Sequence, residues 1–136
     1  MKYLSLIATL ALVSCAQTDW KSIQAEADKI QAGCREQRLR GALPDRAASV
    51  RCATPHILSL YQRADYPYMD LLSFQRAQQL VIAERQDRGE ITEAQAEAAR
   101  MELNLRLYSE VEQRNQRRAA NSPVICQPVG ATIMCF

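Results

Sequence analysis

The fold of this chain is decided by residues 89–95, GEITEAQ. Thr92 and Gln95 have the spacing of a capping box, in which each side chain accepts a hydrogen bond from the other residue's backbone N–H at a helix start. Gly89 suits the left-handed position that ends a helix. Because only two residues separate these end and start signals, the stretch predicts two helices that fold back as an antiparallel hairpin.

Both helices of the predicted hairpin are long. The first starts at Pro67 and extends to about Arg88, and the second extends from Thr92 to about Arg118. Apolar residues of the second helix recur every three or four positions, which predicts one apolar face directed at the core. That stripe comprises Ala94, Ala98, Met101, Leu105 and Tyr108, and it is widened by Leu103, Leu107 and Val111.

Shorter helical segments are expected before the hairpin. Residues 18–40 have good N-terminal residues in Thr18 and Asp19 and a narrow apolar stripe that includes Cys34. A short helix is predicted to open at Pro44 and Asp45 and to extend to about residue 52. Another is predicted from Pro55 to about residue 63, because proline suits the first position of a helix.

The N-terminus has the organisation of a secretory signal. Lys2 precedes an apolar run over residues 4–13, which is too short for the ~20 residues of a membrane span. The run ends in LVSC, residues 12–15. This order resembles the lipobox of bacterial lipoproteins. The resemblance implies that residues 1–14 are a signal peptide that is removed, and that Cys15 carries lipid in a lipidated N-terminus of residues 15–17.

The lipid on Cys15 would also set the location of the protein. One acyl chain anchors only marginally, at about 0.8 kcal/mol per buried methylene, whereas two or three chains attach a protein stably. In the lipoproteins of bacteria with two membranes, an aspartate just after the cysteine often marks retention at the inner membrane. Ala16 and Gln17 stand there instead, so we expect an outer-membrane protein facing the periplasm.

The charge of the chain argues against a nucleic-acid partner. There are 17 lysines and arginines against 15 aspartates and glutamates, a net charge of +2. Removal of Lys2 with the signal lowers it to about +1, whereas nucleic-acid binding requires a basic patch. The remaining 122 of the 136 residues have the length of one domain.

The cysteine count predicts two disulfides. Of the five cysteines, Cys15 is assigned to lipid, which leaves an even number in an oxidising compartment. Four cysteines allow three connectivities, and we favour Cys34–Cys52 with Cys126–Cys135 because both pairs are local. The usual zinc-site spacings are missing from the sequence, so no metal or other cofactor is predicted.

The C-terminal residues 121–136 change from a helical to a β-strand pattern. Residues 124–127 and 132–136 are β-prone, and Gly130 lies between them. A two-residue turn at Gly130 and Ala131 places Cys126 opposite Cys135, close enough for a disulfide. The register and the spacing of the cysteines therefore agree on a disulfide-closed β-hairpin.

Residues with possible chemical roles are few. His56 is the one histidine, and it has no nearby nucleophile or acidic partner in the sequence. Asp65 and Asp70 could be paired carboxylates, but each also has the placement of a helix-start residue. No phosphate loop or nucleophile elbow is present, so the chain is not expected to be an enzyme.

An aromatic group surrounds the break between two predicted helices. It consists of Tyr61, Tyr66, Tyr68 and Phe74. Such a group suits either a binding patch or the lid of a core. Arginines near the end of the last helix could likewise contact an anionic lipid or glycan, or could complement the helix dipole.

The sequence as a whole predicts a mainly α fold. Residues 18–120 would form a small disulfide-stapled bundle with a long helical hairpin, and residues 121–136 the β-hairpin. The mature part resembles small periplasmic helical lipoproteins, which bring no assigned activity. The expected function is a non-enzymatic envelope scaffold or accessory subunit that binds an envelope protein. The alternatives are a helical pocket for a lipid or hydrophobic small molecule, and a small hydrolase of envelope polymer.

Overall fold

A computed structural model describes residues 19–121, 126–129 and 132–135 of the chain. The fold is mainly α, as predicted. Its helices are α1 (Trp20–Leu39), α2 (Arg46–Arg63), α3 (Met69–Asp87) and α4 (Glu93–Ala120). Each helix packs against the next in chain order, so the described helices form a bundle of successive antiparallel pairs. The predictions for residues 1–14 and for Cys15 lie outside the described residues.

Side-chain caps begin three of the helices. The Asp19 carboxylate accepts from the Lys21 N–H at 3.1 Å, and the Asp45 carboxylate accepts from the Ala48 N–H at 2.6 Å. The capping box of α4 is confirmed, with both reciprocal hydrogen bonds between Thr92 and Gln95 present. These bonds satisfy backbone donors that have no partner inside the helix.

Three helices end in the same left-handed turn. Gly41, Asp65 and Gly89 have φ of +78°, +52° and +72°. After each of these residues the next backbone N–H returns to a carbonyl five positions earlier, the pattern of the Schellman motif. The prediction that Asp65 starts a helix is therefore wrong, because Asp65 terminates α2 in a conformation that aspartate tolerates better than most residues.

The two short helices predicted on either side of Thr54 and Pro55 are one helix, α2. Proline inside a helix removes a hydrogen bond and costs about 3 kcal/mol. Ala53 and Ile57 flank the proline, and both are buried in the same core. The Thr54 hydroxyl also donates to the Val50 carbonyl at 2.7 Å. Burial on both sides of the proline explains why the helix continues.

The central core lies where α1, α2 and α3 meet. It is formed by Ala27, Cys34, Ala53, Ile57 and Leu72. The predicted Cys34–Cys52 disulfide is confirmed at its margin, with a Cα–Cα distance of 5.9 Å, which is within the usual range. The bond joins α1 to α2.

The apolar stripe of α4 does not face the core as expected. Leu103 is buried and Leu107 and Val111 are half-buried, whereas Met101 and Leu105 are exposed. The helix has apolar residues on two opposite sides, and only one side can face α3. The side with Leu103 packs on α3, and the opposite side stays exposed because no described helix lies beyond α4.

The C-terminal segment contains two short antiparallel strands, β1 (Cys126–Val129) and β2 (Thr132–Cys135). Their register places Cys126 opposite Cys135. The turn at Gly130 and Ala131, and all side chains of this segment, lie outside the described part of the chain. The Cys126–Cys135 disulfide therefore stays a prediction.

Candidate functional site

Four aromatic side chains meet at one end of the bundle, where α1 begins, α2 ends and α3 begins. Tyr66 is at the centre of the group. Its ring centroid lies 5.5 Å from that of Trp20, 5.1 Å from that of Tyr61 and 5.8 Å from that of Tyr68, each in an edge-to-face arrangement. This geometry is favourable for aromatic pairs. We call these four residues the aromatic end.

The C-terminal part of α4 closes this end from the other side. The guanidinium carbons of Arg114 and Arg118 lie 5.8 Å and 5.0 Å from the Tyr68 ring centroid, within the range of cation–π attraction. The Tyr68 hydroxyl donates to Asn115. Tyr68 is thereby buried, and it ties the start of α3 to the end of α4.

The structure brings together three of the four aromatic residues predicted as a patch. Phe74 lies apart on α3, is 52% exposed, and makes no ring contact with the others in the described chain. Trp20 takes the fourth place instead. Its position at the start of α1 gave no local sequence signal that it would reach the α2–α3 turn.

Two phenols of the aromatic end, Tyr61 and Tyr66, have raised pKa values and stay neutral at ordinary pH. Burial raises the pKa of both Tyr61 and Tyr66. The neighbouring phenol of Tyr66 raises the pKa of Tyr61 further. The phenol of Tyr68 does the same to the pKa of Tyr66. The Tyr61 hydroxyl donates to the Gln24 side-chain oxygen at 2.8 Å. A buried phenol with a raised pKa acts as a hydrogen-bond donor and packing group rather than as a base.

The two aspartates beside the aromatic end have different roles. Asp70 forms an ion pair with Arg114 at 2.8 Å, and the hydrogen bond from Arg114 lowers the pKa of Asp70. A general acid needs a carboxyl group whose pKa is raised. Asp65 is exposed in the turn that ends α2. This environment does not favour the alternative of a hydrolase that uses the two carboxylates as a catalytic pair.

His56 is exposed beside the disulfide. It lines a cavity of about 320 Å³ together with Cys34 and Cys52, Ser59 and Lys29. Among the residues that the structure describes, no group of three or more histidine, cysteine, aspartate or glutamate side chains is arranged to hold a metal ion.

The outer side of α4 carries an exposed apolar stripe, which we call the α4 stripe. Met101, Leu105 and Tyr108 are 58%, 70% and 73% exposed. Their spacing of four and then three residues places them on one line along the helix, the spacing of a seam between two helices. Ala94 and Ala98 extend this line toward the start of α4.

A buried arginine is the main feature that the sequence did not indicate. Arg76 on α3 is 4% exposed, although arginine is almost never fully buried without a partner. Its position follows Leu72 by one helical turn, a signal that would have placed it on the buried face. Arginine's usual preference for the surface hid that signal.

None of the helices in residues 19–121 has both the length and the apolar character needed to cross a membrane. Comparison of the chain with protein-family models, with curated proteins and with solved structures gives no match.

Proposed function

We propose that this protein is a lipid-anchored periplasmic lipoprotein of the outer membrane that acts as a non-enzymatic scaffold or accessory subunit. Its partner would be an envelope protein that contributes one apolar helix to the α4 stripe. The observation that carries the proposal is the exposure of Met101, Leu105 and Tyr108 along one line. Burial of a large apolar side chain contributes about 1.5–3 kcal/mol, so this line favours association.

The shape of the stripe indicates the kind of partner. Apolar residues at alternating spacings of three and four form a narrow seam, which accepts the side chains of one opposing helix. The adjoining positions on α4 are polar, with Glu102 and Arg106 forming an ion pair at 2.5 Å. A polar margin around an apolar centre is the usual composition of a protein interface.

The aromatic end supports the orientation that lipid on Cys15 would impose. Asp19 follows Cys15 by four positions, and four extended residues span at most about 14 Å. The start of α1, and with it the aromatic end, would thus lie close to the bilayer. Tryptophan and tyrosine favour the membrane–water interface. In this orientation the α4 stripe points into the periplasm, because the end of α4 lies at the aromatic end.

The C-terminal hairpin is part of the same proposal. We expect residues 121–136 to form a hairpin closed by Cys126–Cys135 that follows the end of α4. The opposed register of the two cysteines supports this disulfide. A lone hairpin is marginally stable in water, so the bond would be needed to hold it.

Site-specific photocrosslinking in intact cells tests the partner. A photoreactive residue replaces Leu105 in one variant and Arg40 in the control, whose side chain is also exposed, at 74%, but lies at the end of α1, outside the α4 stripe and its polar margin. We expect one dominant adduct at position 105, identified by mass spectrometry as an envelope protein, and its loss when Met101→Glu is added. Equal adducts at both positions, or an adduct of two copies of this chain, would overturn the proposal.

Intact-mass measurement of the protein extracted from membranes tests the anchor separately. We expect a chain that begins at Cys15 and carries added acyl mass, with no free thiol before reduction. A chain that retains residues 1–14, or one without acyl mass, would contradict lipidation and leave the crosslinking result unaffected.

The alternative of a hydrophobic pocket has less support. Tyr61, Tyr66 and Tyr68 pack against one another and against Trp20, so their faces are occupied by ring contacts. None of these residues, nor Phe74, lines either of the two cavities described for this fold.

A further inference from the structure

All four helices contribute to a polar groove at the half of the bundle farther from the aromatic end. The groove has a volume of about 550 Å³, within the range of small-molecule sites. Its lining includes five arginines, which are Arg35, Arg38, Arg46, Arg76 and Arg100. We call it the arginine groove.

Arg76 lines this groove with a guanidinium that only neutral groups contact. It donates to the Gln79 side-chain oxygen at 2.6 Å, to the Thr54 hydroxyl at 3.2 Å and to the Gln31 side-chain oxygen at 3.4 Å. No carboxylate among the described residues lies within ion-pair distance of it. Burial lowers the pKa of Arg76, yet arginine stays protonated in proteins. The groove therefore contains a buried positive charge without a negative partner.

The carboxylates that line the groove have contacts with groups other than Arg76. Glu93 pairs with Arg46 at 3.4 Å and with Arg100 at 3.7 Å, and Glu97 pairs with Arg100 at 3.2 Å. Asp28 accepts a hydrogen bond from the Gln24 side chain at 3.0 Å. The acids thus neutralise two of the five arginines.

Arg35 and Arg38 complete the unbalanced part of the groove. They lie three residues apart on α1, and neither forms an ion pair with any carboxylate that the structure describes. Together with Arg76 they give the groove three guanidiniums that form no ion pair with a described carboxylate, against one lining carboxylate, Asp28, that forms no ion pair either. Arg76 alone of the three is buried; holding its charge without a partner is costly, and a bound anion would offset that cost.

We propose that the arginine groove binds a small soluble organic phosphate. The planar guanidinium forms paired hydrogen bonds with phosphate oxygens, and three such groups match a multiply charged anion. The volume of the groove exceeds that needed for inorganic phosphate alone, so the ligand carries an organic part. Phosphate binding in the groove does not depend on the lipid anchor or on the α4 stripe, and only the preference for a soluble ligand rests on the proposed orientation.

The position of the groove favours a soluble ligand over a lipid headgroup. Its lining comes from the middle and later part of α1, the first half of α2, the middle and later part of α3 and the start of α4. These parts lie away from the aromatic end. If the aromatic end faces the bilayer as proposed above, the groove opens at a distance from lipid headgroups.

Titration calorimetry on the full chain tests this site, with the protein in detergent micelles for the two soluble probes and reconstituted into phosphatidylcholine vesicles, free of detergent, for the lipid probe. The probes are glycerol 3-phosphate, inorganic phosphate, and vesicles of phosphatidylglycerol in phosphatidylcholine. We expect glycerol 3-phosphate to bind more tightly than inorganic phosphate, and to bind at least tenfold more weakly to the Arg35→Gln/Arg38→Gln variant. Arg106→Gln on α4, outside the groove, serves as the charge-matched control and should bind as the unaltered chain does.

Arg76→Met separates a binding role from a structural one. An unpaired buried charge replaced by an apolar side chain of similar length often leaves a protein equally or more stable. We therefore expect Arg76→Met to keep or raise the melting temperature while abolishing phosphate binding. Unaltered binding in this variant would overturn the proposal. So would a loss of affinity in Arg106→Gln as large as that in the α1 variant, or binding to phosphatidylglycerol vesicles without binding to glycerol 3-phosphate.

Discussion

The two sides of the helical array are held together by different interactions. On one side α1 and α2 are joined by the Cys34–Cys52 bond and by the central core. On the other side α4, the longest of the described helices with 28 residues, has only Ala96 and Leu103 buried. Most of its other specific contacts with α3 are polar, such as the hydrogen bond from Gln75 to Asn104 at 2.9 Å.

This difference indicates that one side of the array stabilises the fold and the other side exposes a binding surface. A disulfide and a shared apolar core contribute several kcal/mol, whereas exposed polar pairs contribute about 0–1 kcal/mol each. α4 is therefore the helix most weakly tied to the rest, and it is also the helix that exposes an apolar stripe. The α1–α2 pair acts as a rigid support, and α4 offers the surface.

Removal of the Ile57 side chain beyond Cβ should have the largest effect. Ile57 is 2% exposed, and truncation of a buried isoleucine to alanine costs about 2–5 kcal/mol. We expect Ile57→Ala to lower the free energy of unfolding by about 3.5 kcal/mol, measured by urea denaturation. Leu103→Ala on α4 should cost about 2 kcal/mol. The contrast between the two sides fails if the α4 variant is the less stable of the two.

Loss of the disulfide should rank second. The bond closes a loop with a sequence separation of 18 residues, which corresponds to about 3 kcal/mol by the loop-entropy estimate. Cys34→Ala/Cys52→Ala should show this loss in denaturant unfolding, and hydrogen exchange should speed up in α1 and α2. Faster hydrogen exchange confined to α4 would contradict the conclusion that the disulfide stabilises the α1–α2 pair.

Removal of the capping box at the start of α4 should lower the stability of the protein by an intermediate amount. Thr92→Ala deletes the hydroxyl that accepts from the Gln95 N–H, and loss of an N-cap costs about 1 kcal/mol. Thr92→Ser should retain most of the stability because serine also caps. Thermal unfolding of the two variants checks this, and equal losses in both would show that the threonine methyl group, not the cap, matters.

The smallest effect should come from the ion pair between Asp70 and Arg114. Because the hydrogen bond from Arg114 lowers the pKa of Asp70 below its ordinary value of 3.8, the pair stabilises the fold fully above that pH. Its contribution is lost as the pH falls through the lower pKa of the folded state. Asp70→Asn should therefore melt slightly earlier than the unaltered chain at neutral pH and equally at pH well below 3.8. A difference that stays constant across this range would exclude the ion pair as its cause.

Local signals in the sequence predicted the helices well. The cap at Thr92, the glycines that end α1 and α3, and the spacing of Cys34 and Cys52 each depend on a few neighbouring residues. The predictions that were wrong required knowledge of tertiary packing. Burial of Ala53 and Ile57 explains why α2 continues through Pro55. The position of α4 at the end of the array leaves one of its two apolar sides uncovered.

The candidate sites were less predictable for the same reason. Tyr61, Tyr66 and Tyr68 are close in sequence and were grouped correctly, whereas Trp20 joins them from a distant helix. The arginine groove is drawn from four helices, and no short motif marks it. Arg76 becomes unusual only when its burial and its neutral neighbours are known.

The nearest-neighbour packing of the helices gives the array two unlike termini. In the described chain the backbones of α1 and α4 do not come into contact, so the array does not close on itself. Stacked arrays of this kind gain stability layer by layer, and a terminal layer normally has a polar outer face that acts as a cap. α4 lacks such a face along Met101, Leu105 and Tyr108. The array therefore ends at a helix whose outer face is still apolar. A single further helix from another molecule would cover this face and act as the terminal layer.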